Sequence, residues 1–280
     1  MRRSRSLAAL LLTGPLVAGC FGAPNPLDPT VGGSIGVPHN GTLHGAAELE
    51  QKGEGYRRFR KDSIRYGHPR LVAAIERAAK AVAQARPGPD LIVADLSAEH
   101  GGKIPRHRSH RTGRDADLLL FVKTADGRPV TSPGFLRFGP DGLAEHDGEF
   151  LQLDVERNWL LVKELASDDE ALVQWLFVAR WVEALLTEHA MALGEDDEVI
   201  RRANKLLRQP GDSAAHDDHI HMRIACTPSD AAAGCISGGY RWDWLPAPKA
   251  ADGLTDEQLL TAMFADVPVP AVAVPSDDGS

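Results

Sequence analysis

The chain has 280 residues, 43% hydrophobic and 25% charged, with a formal net charge of -8 at pH 7. That length and composition predict a soluble globular body with a sizeable core. The acidic balance argues against a nucleic-acid partner, because a phosphate backbone requires a basic face.

In chain order, Met1-Arg2-Arg3-Ser4-Arg5 reads as a basic n-region. Residues 7–19 form a short apolar h-region of signal-peptide length, too short to span a bilayer. Val17-Ala18-Gly19-Cys20 resembles the lipobox of bacterial lipoproteins. That resemblance implies removal of residues 1–19, acylation of Cys20 and a membrane anchor made of lipid rather than a helix. Phe21 stands where an aspartate would favour the inner membrane, so the expected location is the periplasmic face of the outer membrane. Residues 20–33, rich in Pro and Gly, read as a flexible tether.

The body is expected over residues 34–248. Apolar spacing predicts a helix over 73–85, ended by Pro87, and further helices over 155–166, 180–193 and 197–207. Strands are predicted over 90–96, 117–122, 172–178 and 219–224. Because helices and strands do not alternate regularly, the expected fold class is α+β, with a small, mostly antiparallel sheet carrying the site and helices packed on it. After Pro246 and Pro248 comes one short amphipathic stretch, 255–264. The remainder of 249–280 reads as a tail without a stable fold. With Cys20 lipidated, Cys226 and Cys235 remain, and an oxidising compartment predicts that they pair.

Five of the eleven histidines fall in two short clusters. The first, HRSHRTGRDADLLL, holds His107, His110, Asp115 and Asp117; the second, HDDHIHMRI, holds His216, Asp217, Asp218, His219 and His221. On an extended chain residues i and i+2 share a face, so His219 and His221 point together with Ile220 turned inward, as do Asp115 and Asp117 around Ala116. Thr112-Gly113 offers a turn that folds His110 back over the strand start. Two neutral imidazoles and a carboxylate suit zinc and leave a fourth position open, whereas the histidines argue against calcium.

A histidine seven residues before an aspartate, followed about a hundred residues later by His-x-His, resembles the lysostaphin, D-Ala-D-Ala peptidase and hedgehog superfamily of zinc proteins. The closer resemblance is to the penicillin-insensitive murein endopeptidases. It rests on Ser34-Ile35-Gly36, Gly41-Thr42-Leu43, Gly45-Ala46, Gly53-Glu54-Gly55-Tyr56 and Arg65-Tyr66-Gly67-His68-Pro69. Gly101-Gly102, Ser109-His110, Gly113, Asp115-Ala116-Asp117, and His216, His219, His221, Arg223 and Cys226 complete it. The resemblance covers roughly residues 34–236 and is thin between about 123 and 210.

What the resemblance implies is one catalytic zinc held by His110, Asp117 and His221, with His219 as a catalytic histidine and His216 as a further site residue. Peptidoglycan would be the substrate, cut at D-alanyl-meso-diaminopimelate bonds without a serine nucleophile. Asp115, Asp217 and Asp218 are candidates for orienting the imidazoles. His107 matches one ligand of the family's second metal position. The matching partner positions fall near Asp147 and at Phe150, so a complete second site is not carried over. His107, His39 and His44 are candidates for lining the groove, and His68 for a structural role. A stem-peptide carboxypeptidase of the same superfamily and a non-catalytic wall-binding zinc lipoprotein remain open at this point. A metal-dependent phosphoesterase is a weaker third reading.

Overall fold

A computed structural model describes residues 33–211 and 214–246. The expected signal peptide, Cys20, all of the expected tether but Gly33, and the expected tail with its 255–264 stretch lie outside the described residues. Gly33, expected to end the tether, already belongs to the first strand.

Glycine and proline keep the opening strands short. β1 (Gly33–Val37) and β2 (Asn40–His44) form a hairpin around Pro38-His39. β3 (Ala47–Glu48) later meets β6 (Tyr66–Gly67), and β4 (Lys52–Gly53) turns into β5 (Tyr56–Arg58) at Glu54-Gly55. Gly55, second of the two turn residues, has φ 79°, a left-handed conformation that glycine adopts at no steric cost. α1 (Pro69–Ala85) begins earlier than its apolar spacing indicates. Pro69 suits its first turn, and the His68 ring accepts the Arg70 N–H at 3.2 Å, so His68 is its N-cap.

β7 (Leu91–Val93) and β8 (Asp115–Leu119) follow. A four-stranded sheet then forms from β9 (Val122–Thr124), β10 (Pro129–Val130), β11 (Leu143–His146) and β12 (Glu149–Leu153). After α2 (Val155–Ser167) come β13 (Val173–Phe177), α3 (Arg180–Leu193), α4 (Asp197–Leu206), β14 (Leu207–Arg208), β15 (His219–Ile224) and α5 (Pro228–Ala232).

The expected strand over 117–122 is in fact two strands in different sheets. The cause is Asn158 on α2, whose amide accepts the Phe121 N–H at 3.0 Å and donates to the Phe121 carbonyl at 2.8 Å. A side chain thus takes the place of a neighbouring strand and lets the chain leave one sheet for the other. The expected strand over 90–96 is regular only from Leu91 to Val93, although Ala94 and Asp95 still share backbone hydrogen bonds with Asp117 at 2.8 and 2.9 Å.

The main sheet has the order β14-β13-β15-β8-β7-β5-β4. Its central strands β13, β15, β8 and β7 run antiparallel, and β14 and β5 add parallel to β13 and β7. The class is therefore α+β, as the irregular alternation predicts. Ile220, Met222, Ile224, Ala116, Leu118 and Leu176 point to one side and share a core with Leu71, Ile75, Trp159 and Leu161 from α1 and α2. The opposite face carries Asp115, Asp117, His219, His221 and Arg223, with Leu119, Trp175 and Phe177 among them. Cys226 and Cys235 form the expected disulfide. No described helix is long and apolar enough to cross a membrane.

Candidate metal centre

The antiparallel register of β15 and β8 puts His221 directly opposite Asp117 and Arg223 opposite Asp115. Directly paired residues lie on one face of a sheet, so the two i, i+2 pairs of the sequence become a single cluster. His110 arrives from the loop before β8. It has φ 63°, a left-handed conformation that costs about 1–3 kcal/mol in a non-glycine residue and recurs at functional sites. Ser97 holds this loop: its hydroxyl donates to the His110 carbonyl at 2.5 Å and accepts the Gly113 N–H at 3.1 Å. Gly113, φ 69°, completes the turn that brings His110 back over the strand.

Three ring nitrogens converge on one carboxylate oxygen. Asp117 Oδ1 lies 3.2 Å from His110 Nε2, 3.1 Å from His221 Nδ1 and 3.3 Å from His219 Nε2. Outer hydrogen bonds select the tautomers. His110 Nδ1 is bonded to the Leu96 carbonyl at 2.7 Å and must donate; His221 Nε2 donates to Asp115 at 2.8 Å. Each neutral ring therefore turns its lone pair toward Asp117. His110, Asp115 and Asp117 are wholly buried, and His110 Nε2 and both Asp117 oxygens have no hydrogen-bond partner. Such a crowd of buried acceptors is unfavourable by itself. Protons on the rings are one relief. A divalent cation is the other, and it leaves each ring in the tautomer already selected.

The electrostatics agree with a site short of positive charge. Burial alone would raise Asp117, yet the facing His110 and His219 rings hold it well below the usual carboxylate range. Burial also opposes ionisation of Asp115, but Arg223 and His221 outweigh it and keep that carboxylate charged. Burial would lower His219 and His221. Asp117 and Asp218 push His219 up to about 10, and Asp115 and Asp117 raise His221. His216, with φ 57°, is pushed down to about 4 by burial and by the neighbouring His221 and His219.

Each expected site residue can now be located. Two groups have donor atoms within 4.8 Å of one another, His107–His110–Asp117 and His216–His219–His221; the trio His110, Asp117 and His221 spans both. In that trio the two ring nitrogens meet at Asp117 Oδ1, and His110 Nε2 and both Asp117 oxygens are buried without a hydrogen-bond partner. His219 Nδ1 bonds Asp218 at 2.5 Å, so Asp218 orients that ring. Asp217 contributes through its carbonyl, which accepts the Phe138 N–H at 2.9 Å. His107 turns Nε2 onto Asp95 at 2.8 Å, and its Nδ1 is 3.6 Å from Asp117 Oδ2. Asp147 stands on the exposed turn between β11 and β12 beside His146, and Phe150 is exposed.

His39 lines an open cleft of about 440 Å³ beside this centre, whereas His44 does not. Residues unread in the sequence also matter. Asp95 is buried and gathers Arg60 at 2.7 Å together with His107. Phe177 packs edge-on against His221, and Phe135 against His219. An aspartate interrupting the apolar run LIVADL was the available signal for Asp95.

Fold and site together define an α+β protein with a candidate cation-binding centre of two histidines and an aspartate. The family model described as penicillin-insensitive murein endopeptidase matches residues 34–239. A penicillin-insensitive murein endopeptidase of Haemophilus influenzae is 32% identical over 231 residues, covering 80% of this chain and 71% of that one. One from Escherichia coli O1:K1 / APEC is 30% identical over 70% of this chain and 67% of its own length. One from Klebsiella pneumoniae subsp. pneumoniae is 28% identical over 77% of each. The chain belongs to the penicillin-insensitive murein endopeptidase family, and its class is that of a peptidase.

Proposed function

We propose that this protein is a zinc metallopeptidase that hydrolyses amide bonds in peptidoglycan cross-bridges, between D-alanine and meso-diaminopimelate. The observation that carries the metal is the convergence of buried, unpartnered acceptors on His110 and Asp117, joined by His221 Nδ1. Nitrogen donors with a single carboxylate favour zinc over calcium or magnesium. The family membership supports the substrate.

His110 Nε2, Asp117 and His221 Nδ1 would hold the ion. When bound, zinc supplies Lewis acidity, lowering the pKa of a water toward neutrality and polarising a carbonyl. The remaining work falls to the chain's own side chains. Asp115 and the Leu96 carbonyl fix the two ligand rings from behind. His219, steadied through Nδ1 by Asp218, turns Nε2 toward Asp117 Oδ1 at 3.3 Å and so would stand beside the ion, where its neutral form could take a proton from water and return one to the leaving amine. In its protonated form it can also donate to the oxyanion of the tetrahedral intermediate. His216, its ring centroid 5.0 Å from that of His219, is suited by its low pKa to accept a hydrogen bond as a neutral ring. Phe177 and Phe135 limit water on two sides of the centre.

We further propose export to the periplasm and acylation at Cys20, with the body held on the outer membrane facing the wall. The basic and apolar opening of the sequence supports this. The enzymatic test is elemental analysis of the purified body and incubation with cross-linked muropeptide dimers. Stoichiometric zinc and conversion of dimers to monomers, abolished by a chelator and by His221→Ala, are expected. Dimers left intact by zinc-loaded protein would refute the activity, and release of only a terminal D-alanine would replace it with the carboxypeptidase reading.

A further inference from the structure

We propose that Arg208 is the anchor for a substrate carboxylate, which makes the substrate a peptide with a free acid group close to the scissile amide. This rests on the peptidase reading above.

The placement follows from register. Phe177 is paired with Arg208 on its parallel side and with His221 on its antiparallel side, and His221 is paired with Asp117. Arg208, Phe177, His221 and Asp117 thus form one row across four adjacent strands, and residues in a row share a face. Leu207, Leu176, Met222 and Ala116, one position away, form the matching row on the core side, and all four are buried. Arg208 is therefore on the site's face by the same pleat that puts His221 there. Neighbouring strands lie about 4.8 Å apart, so the Arg208 and His221 backbones are about 10 Å apart. An extended peptide advances about 3.3–3.6 Å per residue. A carboxylate on Arg208 would then lie within three residues, or one long side-chain arm, of a carbonyl held at the centre.

The chemistry of the cleft selects an anion. Trp175 and Phe177 stack at 5.7 Å between centroids and form its floor. Arg208 lies over Trp175 at 5.6 Å, and Arg223 over Phe177 at 5.4 Å. The described residues lining the cleft include both arginines and no aspartate or glutamate. The two arginines differ in one respect. Arg223 is committed to Asp115 at 2.6 Å, whereas no carboxylate pairs with Arg208 among the described residues. A guanidinium stacked on a ring keeps its N–H edge available in the plane, which is the geometry for two-pronged binding of a carboxylate. Stacking also restrains the long side chain before the substrate arrives, so less entropy is lost on binding.

The test uses the full protein and two synthetic cross-bridge peptides that differ only in the diaminopimelate carboxyl next to the scissile bond, free in one and a carboxamide in the other. Wild type should prefer the free acid in kcat/KM by roughly tenfold or more, the factor of a charge-assisted bond. Arg208→Ala should bring the ratio toward one, Arg208→Lys should restore part of it, and Arg208→Glu should favour the amide. Equal rates on both peptides in wild type, or an unchanged ratio in Arg208→Ala, would overturn the anchor and leave the peptidase reading intact. Should neither peptide be cut, tryptophan-fluorescence titration of the same pair decides the anchor without turnover. Tighter binding of the free acid, lost in Arg208→Ala, supports it, and equal affinity refutes it.

Discussion

If the centre holds zinc as proposed, replacing Asp117 by asparagine removes most of the stability that the ion adds. Asp117 Oδ1 is the atom on which His110 Nε2 and His221 Nδ1 converge, at 3.2 and 3.1 Å, and its side chain is wholly buried. A ligand that binds only the folded state stabilises it by about 4 kcal/mol at a thousand times its dissociation constant. For a body of this size that raises the melting temperature by about 8–16 °C. Asparagine keeps the shape but removes the charge, so zinc is then held by two neutral rings. If affinity falls about a thousandfold, the same zinc concentration adds only about 0.4 kcal/mol. Asp115→Asn acts one bond further out, through the His221 tautomer, and such supporting partners are worth about 10–100-fold in metal affinity. Its zinc-dependent gain should be intermediate, about 1.4–2.7 kcal/mol. The assay is thermal unfolding at fixed free zinc and after chelation, for all three proteins. A zinc shift in Asp117→Asn equal to that of wild type would show that the ion, if any, is held elsewhere.

Other changes test the scaffold around the site. Gly113→Ala should cost about 3 kcal/mol or more, from a left-handed residue and a forced contact, and should lower zinc content. Its Cβ would meet Leu43 Cδ2 at 2.5 Å and the His68 nitrogen at 2.9 Å, and denaturant unfolding with metal analysis reads both effects. Asp230 joins Arg70 at 2.8 Å and the Thr227 N–H at 2.9 Å. Burial alone would raise it, but His68 and Thr227 outweigh that and depress its pKa. A depressed carboxylate contributes its stability fully above its unfolded pKa and loses it as pH falls through the folded value. Asp230→Asn should thus cost about 1–3 kcal/mol at pH 7. That gap should close progressively below about pH 4, as urea titrations at several pH values would show. Replacing Cys226 and Cys235 together by serine should cost about 2–3 kcal/mol, by the chain-entropy argument for a short loop, and a reducing agent should produce the same loss in wild type.

Much of the candidate site was legible because its chemistry is local. His219 and His221, and Asp115 and Asp117, share faces by strand alternation alone, and Ile220 and Ala116 are buried as that alternation requires. The α3 limits follow from apolar spacing and those of β15 from strand alternation, and Thr112-Gly113 marks where the chain must turn. Strand alternation, helix periodicity and turn propensity are properties of neighbouring residues, so one dimension suffices to read them.

Partnership between distant residues is different. Nothing within DLLLFV reveals that Asn158 ends the strand there, because the hydrogen bonds that decide it come from a helix 37 residues later. Asp95 looks like an interruption of an apolar run until the fold brings His107 and Arg60 to it. Arg208 has no motif around it; only the register of three strands brings it into line with His221. The chain itself therefore determined which residue types face together along each strand. Tertiary structure alone decided which strands lie side by side, because that choice is made by burying the whole apolar face at once, and with it which lone pairs meet at Asp117.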